Sequence, residues 1–269
     1  MTYLVTGARG QVGRAVIDAL LAAGKPVRAA SSQPEDTRVP TAVPVIGLDP
    51  ADPASAAAAF DGVDRAFLYA SGRGIDTLVA AAKTAGVQHI TLLSSVAAET
   101  PGNPIGDVHL AVERPLRESG LPLTILRPGA FAGNARMWLS GTDDVVRLPF
   151  PDVQQNSIHE ADIADAAVTT LTEPGHEGKI YPLTGPESLS LRRMVDILAE
   201  ATGRPLRMEQ IDYEQAAQFL FRPVLDMWAA AGDAPVPVGP TSESVTGKPA
   251  RTFTQWAADH AAEFRTGSA

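Results

Sequence analysis

The strongest constraint on this chain lies at its amino end. The apolar run Tyr3-Leu4-Val5 passes directly into Thr6-Gly7-Ala8-Arg9-Gly10-Gln11-Val12-Gly13, and Val12, Val16, Ala19, Leu20 and Ala23 then recur at helical spacing up to Gly24. A short strand, a glycine-spaced turn and an amphipathic helix make the opening unit of a parallel sheet whose turn cradles a dinucleotide pyrophosphate. Gly7 permits the tight turn, Gly10 lets backbone amides approach a phosphate, and Gly13 lets the helix lie close to the sheet. The helix N-terminus adds partial positive charge at the same place. Ala8, Arg9, Gln11 and Val12 complete the expected cradle.

The rest of the first half repeats this strand–helix alternation, the pattern of βαβ units. Strands are predicted at 26–30, 43–46, 65–70, 89–94 and 123–126, with helices at 54–60, 76–85 and 110–119 between them. After Pro128 the rhythm breaks, and helical patterns return at 161–171, 191–201, 213–220 and 254–264. The stretch 232–249, rich in Pro, Gly, Ser and Thr, reads as a long surface connection. The expected fold is α/β: a Rossmann-type doubly wound parallel sheet with a smaller C-terminal substrate-binding lobe. The sheet domain is assigned 1–130 plus 157–175, and the interleaved lobe 131–156 plus 176–269.

A chain of 269 residues suits that architecture, and 45% hydrophobic residues supply a core. The net charge of −9, with no Lys/Arg cluster, argues against nucleic acid. Apolar runs such as 16–23 are too short for a bilayer span, and the first strand leaves the N-terminus no room for a secretory leader. Cysteine is absent, and the His residues at 89, 109, 159, 176 and 260 show no HxxxH spacing, so no metal is expected. These readings describe a cytoplasmic monomer or homodimer acting on a small molecule.

The end of the second strand bears on which dinucleotide is used. A site for NAD usually places Asp or Glu there to accept from the ribose 2′-hydroxyl. Here Arg28-Ala29-Ala30-Ser31-Ser32-Gln33 carries no acid until Glu35. Ser31 and Ser32 can donate to a 2′-phosphate and Arg9 can supply its counter-charge, so NADP is expected over NAD.

Further motifs extend along the chain: Leu48-Asp49-Pro50, Leu92-Leu93-Ser94-Ser95, Thr124-Ile125-Leu126-Arg127-Pro128-Gly129 with Asn134, His159-Glu160-Ala161-Asp162-Ile163-Ala164, Tyr181-Pro182-Leu183-Thr184-Gly185-Pro186-Glu187 and Thr246-Gly247-Lys248-Pro249. With the glycine turn, they resemble the NmrA-like family of atypical short-chain dehydrogenases/reductases over essentially the whole chain. The resemblance implies Asp49 at the adenine edge, Ala70, Ser71 and Gly72 along the pyrophosphate and nicotinamide ribose, and Ser94 and Ser95 near the nicotinamide. It adds Pro128 to the cofactor set.

One part of the family chemistry is missing. Short-chain reductases usually protonate a carbonyl oxygen with a Tyr assisted by a Lys four residues on. The tyrosines stand at 3, 69, 181 and 213 and the lysines at 25, 83, 179 and 248, and no Tyr-x-x-x-Lys pair exists. Aligned on Val112-Glu113 and Leu116-Arg117-Glu118-Ser119-Gly120, the Tyr position falls on Ile105 and the Lys position on His109. Ketone reduction then needs His109 as a substitute acid. Hydride transfer to a quinone-like or conjugated aromatic acceptor, which spreads its own charge, asks less, and the resemblance includes quinone and triphenylmethane-dye reductases. Two alternatives stay open: an NADP(H)-sensing regulatory binding protein, and a cofactor-assisted ketoreductase or epimerase of a biosynthetic pathway using His109 or Ser95 in proton transfer. For a flat apolar substrate, Phe131, Met137, Trp138 and Phe150 are the candidate contacts.

Overall fold

The computed structural model of the chain describes residues 1–69, 72–139 and 143–265. Its first half runs β1 (Tyr3–Val5), α1 (Gln11–Ala22), β2 (Val27–Ser31), β3 (Val45–Gly47), α2 (Pro53–Phe60), β4 (Arg65–Leu68), α3 (Ile75–Thr84), β5 (His89–Leu93), α4 (Pro104–Glu118) and β6 (Leu123–Pro128). There follow β7 (Val145–Leu148), β8 (Gln154–Gln155), α5 (Glu160–Thr172), β9 (Ile180–Leu183), β10 (Leu189–Ser190), α6 (Leu191–Thr202) and β11 (Arg207–Gln210). The chain then forms α7 (Tyr213–Ala216), α8 (Arg222–Ala231), α9 (Glu243–Thr246) and α10 (Phe253–Arg265).

Two compact units result. The first comprises Met1–Pro128, Glu160–Leu183 and Ser242–Lys248. Its parallel seven-stranded sheet has the order β3-β2-β1-β4-β5-β6-β9. The order reverses between β1 and β4, and open sheets of this kind bind ligands in the crevice beyond the carboxyl ends of the strands at such a reversal. β1, β5 and β6 are buried along their whole length, as strands covered on both faces must be. Alternation sorts their side chains. Leu4, Leu68, Ile90, Leu92 and Ile125 share one core with Phe60, Leu78 and Leu116 of α2, α3 and α4, while α1 packs on α5.

The structure corrects several sequence expectations here. The unit boundary moves, because Ile180–Leu183 pairs with β6 as the seventh strand and Ser242–Lys248 joins the same unit. Helix α4 begins at Pro104, six residues before the predicted start at Leu110. Asn103 caps it by accepting from the amides of Ile105 (2.9 Å) and Gly106 (3.2 Å), and Pro104 sits where a helix needs no amide. Gly106 lies in the first turn of this helix. In the fold it is required, since a Cβ there would lie 2.2 Å from the Ala97 carbonyl oxygen.

The second unit comprises Gly129–His159, Thr184–Thr241 and Pro249–Ala269. It pairs β11 with β7 in parallel and β10 with β8 antiparallel. Its core gathers Trp138, Val146, Leu148, Leu198, Trp228, Phe253 and Trp256. The helix predicted at 213–220 stops at Ala216, and α8, with Pro223 in its first turn, follows. The stretch 232–249 is not wholly irregular, because α9 lies within it.

Candidate functional site

The glycine turn is held by its own hydrogen bonds. Gly7 has φ of +66°, a left-handed conformation, and a Cβ there would meet the Tyr69 side chain at 3.0 Å. The Gly10 amide donates to the Gly7 carbonyl at 2.8 Å, and the Ala8 amide to Ala30 of β2 at 3.3 Å. Gly13 is the tightest position: a Cβ would lie 2.3 Å from the Gly7 carbonyl oxygen, so α1 closes on the turn only without a side chain. Thr6 joins the ends of β1 and β4, its hydroxyl accepting from the Tyr69 amide (2.8 Å) and donating to the Tyr69 carbonyl (3.1 Å). Arg14 makes the first bond back into α1, to Gly10 at 3.0 Å. Val12 and Gly13 ahead of it belong to the first turn, the end of a helix that attracts anions.

Over this turn lies a cavity of about 380 Å³. Gly7, Arg9 and Gly10 form one wall, Ser31 and Ser32 the β2 side, and Leu48, Pro50, Tyr69 and Leu78 much of the remainder. A glycine cradle beside an apolar-walled slot fits a dinucleotide: phosphates against the turn, a flat base against Leu48, Pro50 and Leu78. Ala8, Gln11, Val12 and Gly13 build the turn without lining the cavity, and Ala8 and Val12 are buried in the core.

Several expected roles change once partners are visible. Ser31 is only 7% exposed, and its hydroxyl donates to the Gln33 carbonyl while accepting from the Gln33 amide, both at 3.1 Å. Its one proton is therefore committed to a local turn, which removes it as a donor to a 2′-phosphate. Asp49 lies between the cavity residues Leu48 and Pro50, but its carboxylate accepts from the Ala51 amide (3.0 Å) and Arg73 (3.0 Å). Those two bonds, the Ala51 amide first, hold its pKa below the ordinary carboxylate value. Gly74, with φ of +77°, fits against the Pro50 carbonyl, where a Cβ would be 2.2 Å from the oxygen. Ala70 and Ser71 lie outside the described residues, and Gly72 borders Ala111 of α4.

A second constellation joins the ends of β5 and β6 to α4. Glu113, 1% exposed, accepts from Ser94 at 2.5 Å and from Arg127 at 2.9 and 2.6 Å. Arg127 also reaches Glu99 at 3.5 Å, and these bonds, Glu113 first, raise its pKa. Ser94 is thus 4% exposed with its proton given to Glu113, a structural tie rather than a hydroxyl offered to a cofactor. Ser95 is half-buried and caps the 3₁₀ turn Val96–Glu99 by accepting from the Ala97 amide at 3.2 Å, which leaves its proton for donation. Ile105 and His109 stand one turn apart on α4, both half-buried, and His109 is one turn before Glu113. Burial lowers the His109 pKa, and the Glu113 charge opposes the shift. Pro128, buried, ends β6 opposite Leu183.

The four lobe residues divide. Trp138 is 7% exposed and part of the lobe core, so it is packing rather than a substrate contact. Met137 is 53% exposed, Phe131 is half-buried, and Phe150 lines a cavity of about 230 Å³ with Val153 and Trp228. Among the described residues no group of three or more His, Asp or Glu is placed to hold a metal, and no helix is long and apolar enough to cross a membrane.

Tyr69, Leu48, Pro50 and Leu78, and the buried Glu113–Arg127 pair, were assigned no site role from the sequence. Tyr69 carries a usable signal, as it stands at the carboxyl end of the strand next to β1, where such sheets bind ligands. Glu113 carries a weaker one: a carboxylate on the apolar stripe of α4 with Val112 and Leu116.

Comparison with known proteins gives this geometry a family. Residues 7–174 match the family described as NAD(P)H-binding. The chain is 36% identical over 278 aligned residues to the (4-alkanoyl-5-oxo-2,5-dihydrofuran-3-yl)methyl phosphate reductase of Streptomyces griseus, covering 97% of this chain and 98% of that one. It is 33% identical to the NAD(P)H azoreductase of Xenophilus azovorans, with the same coverage of 97% and 98%. Among solved structures, the NADPH-dependent quinone oxidoreductase of Escherichia coli complexed with NADPH superposes with a TM-score of 0.79 at 25% identity, over 96% of this chain and 99% of that one. The chain belongs to the NAD(P)H-binding family and is one of its NAD(P)H-dependent oxidoreductases.

Proposed function

We propose that this oxidoreductase takes hydride from NADPH, in preference to NADH, and delivers it to a quinone-like or otherwise conjugated acceptor without a Tyr/Lys acid pair. The observation that supports the reading is on α4, where Ile105 and a half-buried His109, the residues the resemblance aligns with the Tyr and the Lys, stand one turn apart. Ile105 has no proton to give. Burial disfavours the imidazolium of His109, so less of the protonated form is present to act as an acid at neutral pH. An acceptor that disperses the incoming charge, and takes its proton from water, suits such a site. When bound, the nicotinamide supplies the hydride.

The chain's own residues then hold and orient. The turn Gly7–Gly13 receives the pyrophosphate, while Leu48, Pro50 and Leu78 give the base an apolar slot. Arg9 faces the cavity, and β2 ends on Ser31 rather than an acid, which favours a 2′-phosphate. Ser95 keeps a proton with which to steady an acceptor oxygen. Phe131, Met137 and Phe150 are our candidates for substrate contact. The relatives' own activities support the acceptor class. An azo compound, a quinone and an alkanoyl-substituted oxo-dihydrofuran all delocalise added charge.

Steady-state assays with NADPH against a panel of quinones, azo dyes and simple ketones test the proposal. Turnover of conjugated acceptors with ketones inert is the expected result. A ketone reduced as fast as the best quinone, or no NADPH consumed with any conjugated acceptor, would overturn it.

A further inference from the structure

We infer that Asp36 sets the balance between the two dinucleotides by competing with the ligand for Arg9. The inference rests on the dinucleotide reading above and deepens it.

The polar groups at the end of β2 are few, and their partners fix what each can do. Ser31 is buried and spent on Gln33. Ser32 and Arg9 line the cavity. The Arg9 guanidinium lies 3.8 Å from the Asp36 carboxylate, with both side chains more than half exposed, at 53% and 58%. Asp36 does not sit on a loose loop. It ends the 3₁₀ turn Pro34–Asp36 that follows β2 directly, its amide bonded to the Gln33 carbonyl at 3.2 Å and the Thr37 hydroxyl to the Pro34 carbonyl at 2.7 Å. Among the described residues the one cation lining the cavity, Arg9, is therefore shadowed by an anion whose backbone is held in a turn.

The two ligands meet that pair with opposite chemistry. A 2′-phosphate carries a charge of about −1.5 to −2 and only acceptor oxygens at neutral pH. It gains Arg9, draws it from Asp36, and is repelled by the carboxylate left behind. A 2′-hydroxyl is a donor, so Asp36 serves as its acceptor while the ion pair to Arg9 persists, the arrangement an acid at this strand end usually provides. An exposed pair at this distance is weak and breaks readily. The chain accordingly favours the phosphorylated dinucleotide less than Arg9 alone would make it, and admits the other.

The test uses two ligands that cannot react, ADP-ribose and 2′-phospho-ADP-ribose, titrated by calorimetry into the wild-type protein, Asp36→Asn and Arg9→Gln. Asp36→Asn should move the affinity ratio toward the 2′-phosphate by about three- to tenfold, tightening one ligand and weakening the other. Arg9→Gln should move it the other way, chiefly by weakening the phosphate ligand. A ratio unmoved within about twofold in Asp36→Asn, or an equal change for both ligands, overturns this inference and leaves the dinucleotide site standing. If neither ligand binds the wild-type chain, the dinucleotide reading itself fails, and this inference with it.

Discussion

Replacing Glu113 is the perturbation for which the structure gives the clearest magnitude. Its carboxylate, 1% exposed, takes two bonds from Arg127 and one from Ser94. Glu113→Ala leaves a guanidinium, itself only 8% exposed, with Glu99 at 3.5 Å as its nearest remaining counter-charge. Removing one partner of a buried ion pair costs about 3–5 kcal/mol, because the other charge stays behind unpaired. The Ser94 hydroxyl loses its acceptor as well, and the half-exposed Glu99 recovers part of the loss. We expect a net destabilisation of about 4 kcal/mol. For a chain of this length, about 2–4 °C per kcal/mol puts the fall in Tm near 10 °C. The double variant Glu113→Met, Arg127→Met removes both charges and should recover most of that loss, since apolar replacement of a buried pair is often neutral. Thermal unfolding followed by circular dichroism measures all three proteins. A single variant within about 1 kcal/mol of wild type, or a double variant no better than the single, would refute the account.

His109→Ala should leave quinone turnover within about threefold of wild type, because a neutral imidazole is not being used as the acid; a hundredfold loss in kcat would restore His109 to the chemistry. Gly13→Ala places a methyl group 2.3 Å from the Gly7 carbonyl oxygen, and calorimetry should show dinucleotide affinity reduced by at least about tenfold with the fold retained. Stability should fall with acid between pH 6.5 and 4. Burial lowers the pKa of both His89 and His159 from 6.5 to about 4, so over that window the unfolded chain binds the protons and the folded chain does not. The contribution is complete above pH 6.5 and is lost as the pH falls through 4; His89→Gln should flatten the slope in urea titrations, and an unchanged slope counts against it.

How legible the molecule was from its residues depends on where the determining forces lie. β1, α1, α2, α5, α6 and α10 were each placed within a residue or so, because period and caps are local signals. The start of α4 was missed although Asn103 and Pro104 are local start signals, while the fit of Gly106 against the Ala97 carbonyl belongs to tertiary structure. β9 was not predicted, and its Pro182 is tolerated because the strand lies at the sheet edge. The cavity wall was half legible. Gly7, Arg9, Gly10, Ser31 and Ser32 follow from motif and spacing, whereas Tyr69, Leu48, Pro50 and Leu78 come together only through the register of β1, β3 and β4. Partners were the least visible. Nothing local says that Ser31 spends its proton on Gln33, or Ser94 on Glu113.

The self-bonded turn has a thermodynamic consequence. Its amides at Ala8 and Gly10 and the Thr6–Tyr69 tie are satisfied internally, so the loop is shaped by folding and does not wait for a guest to shape it. An encounter there loses little conformational entropy on the protein side, and a rigid receptor of this kind leaves discrimination to whatever fringe is still soft. In this molecule that fringe includes the solvent-washed pair of Arg9 and Asp36. Ionic strength should therefore tune which nucleotide wins without altering how the diphosphate is gripped.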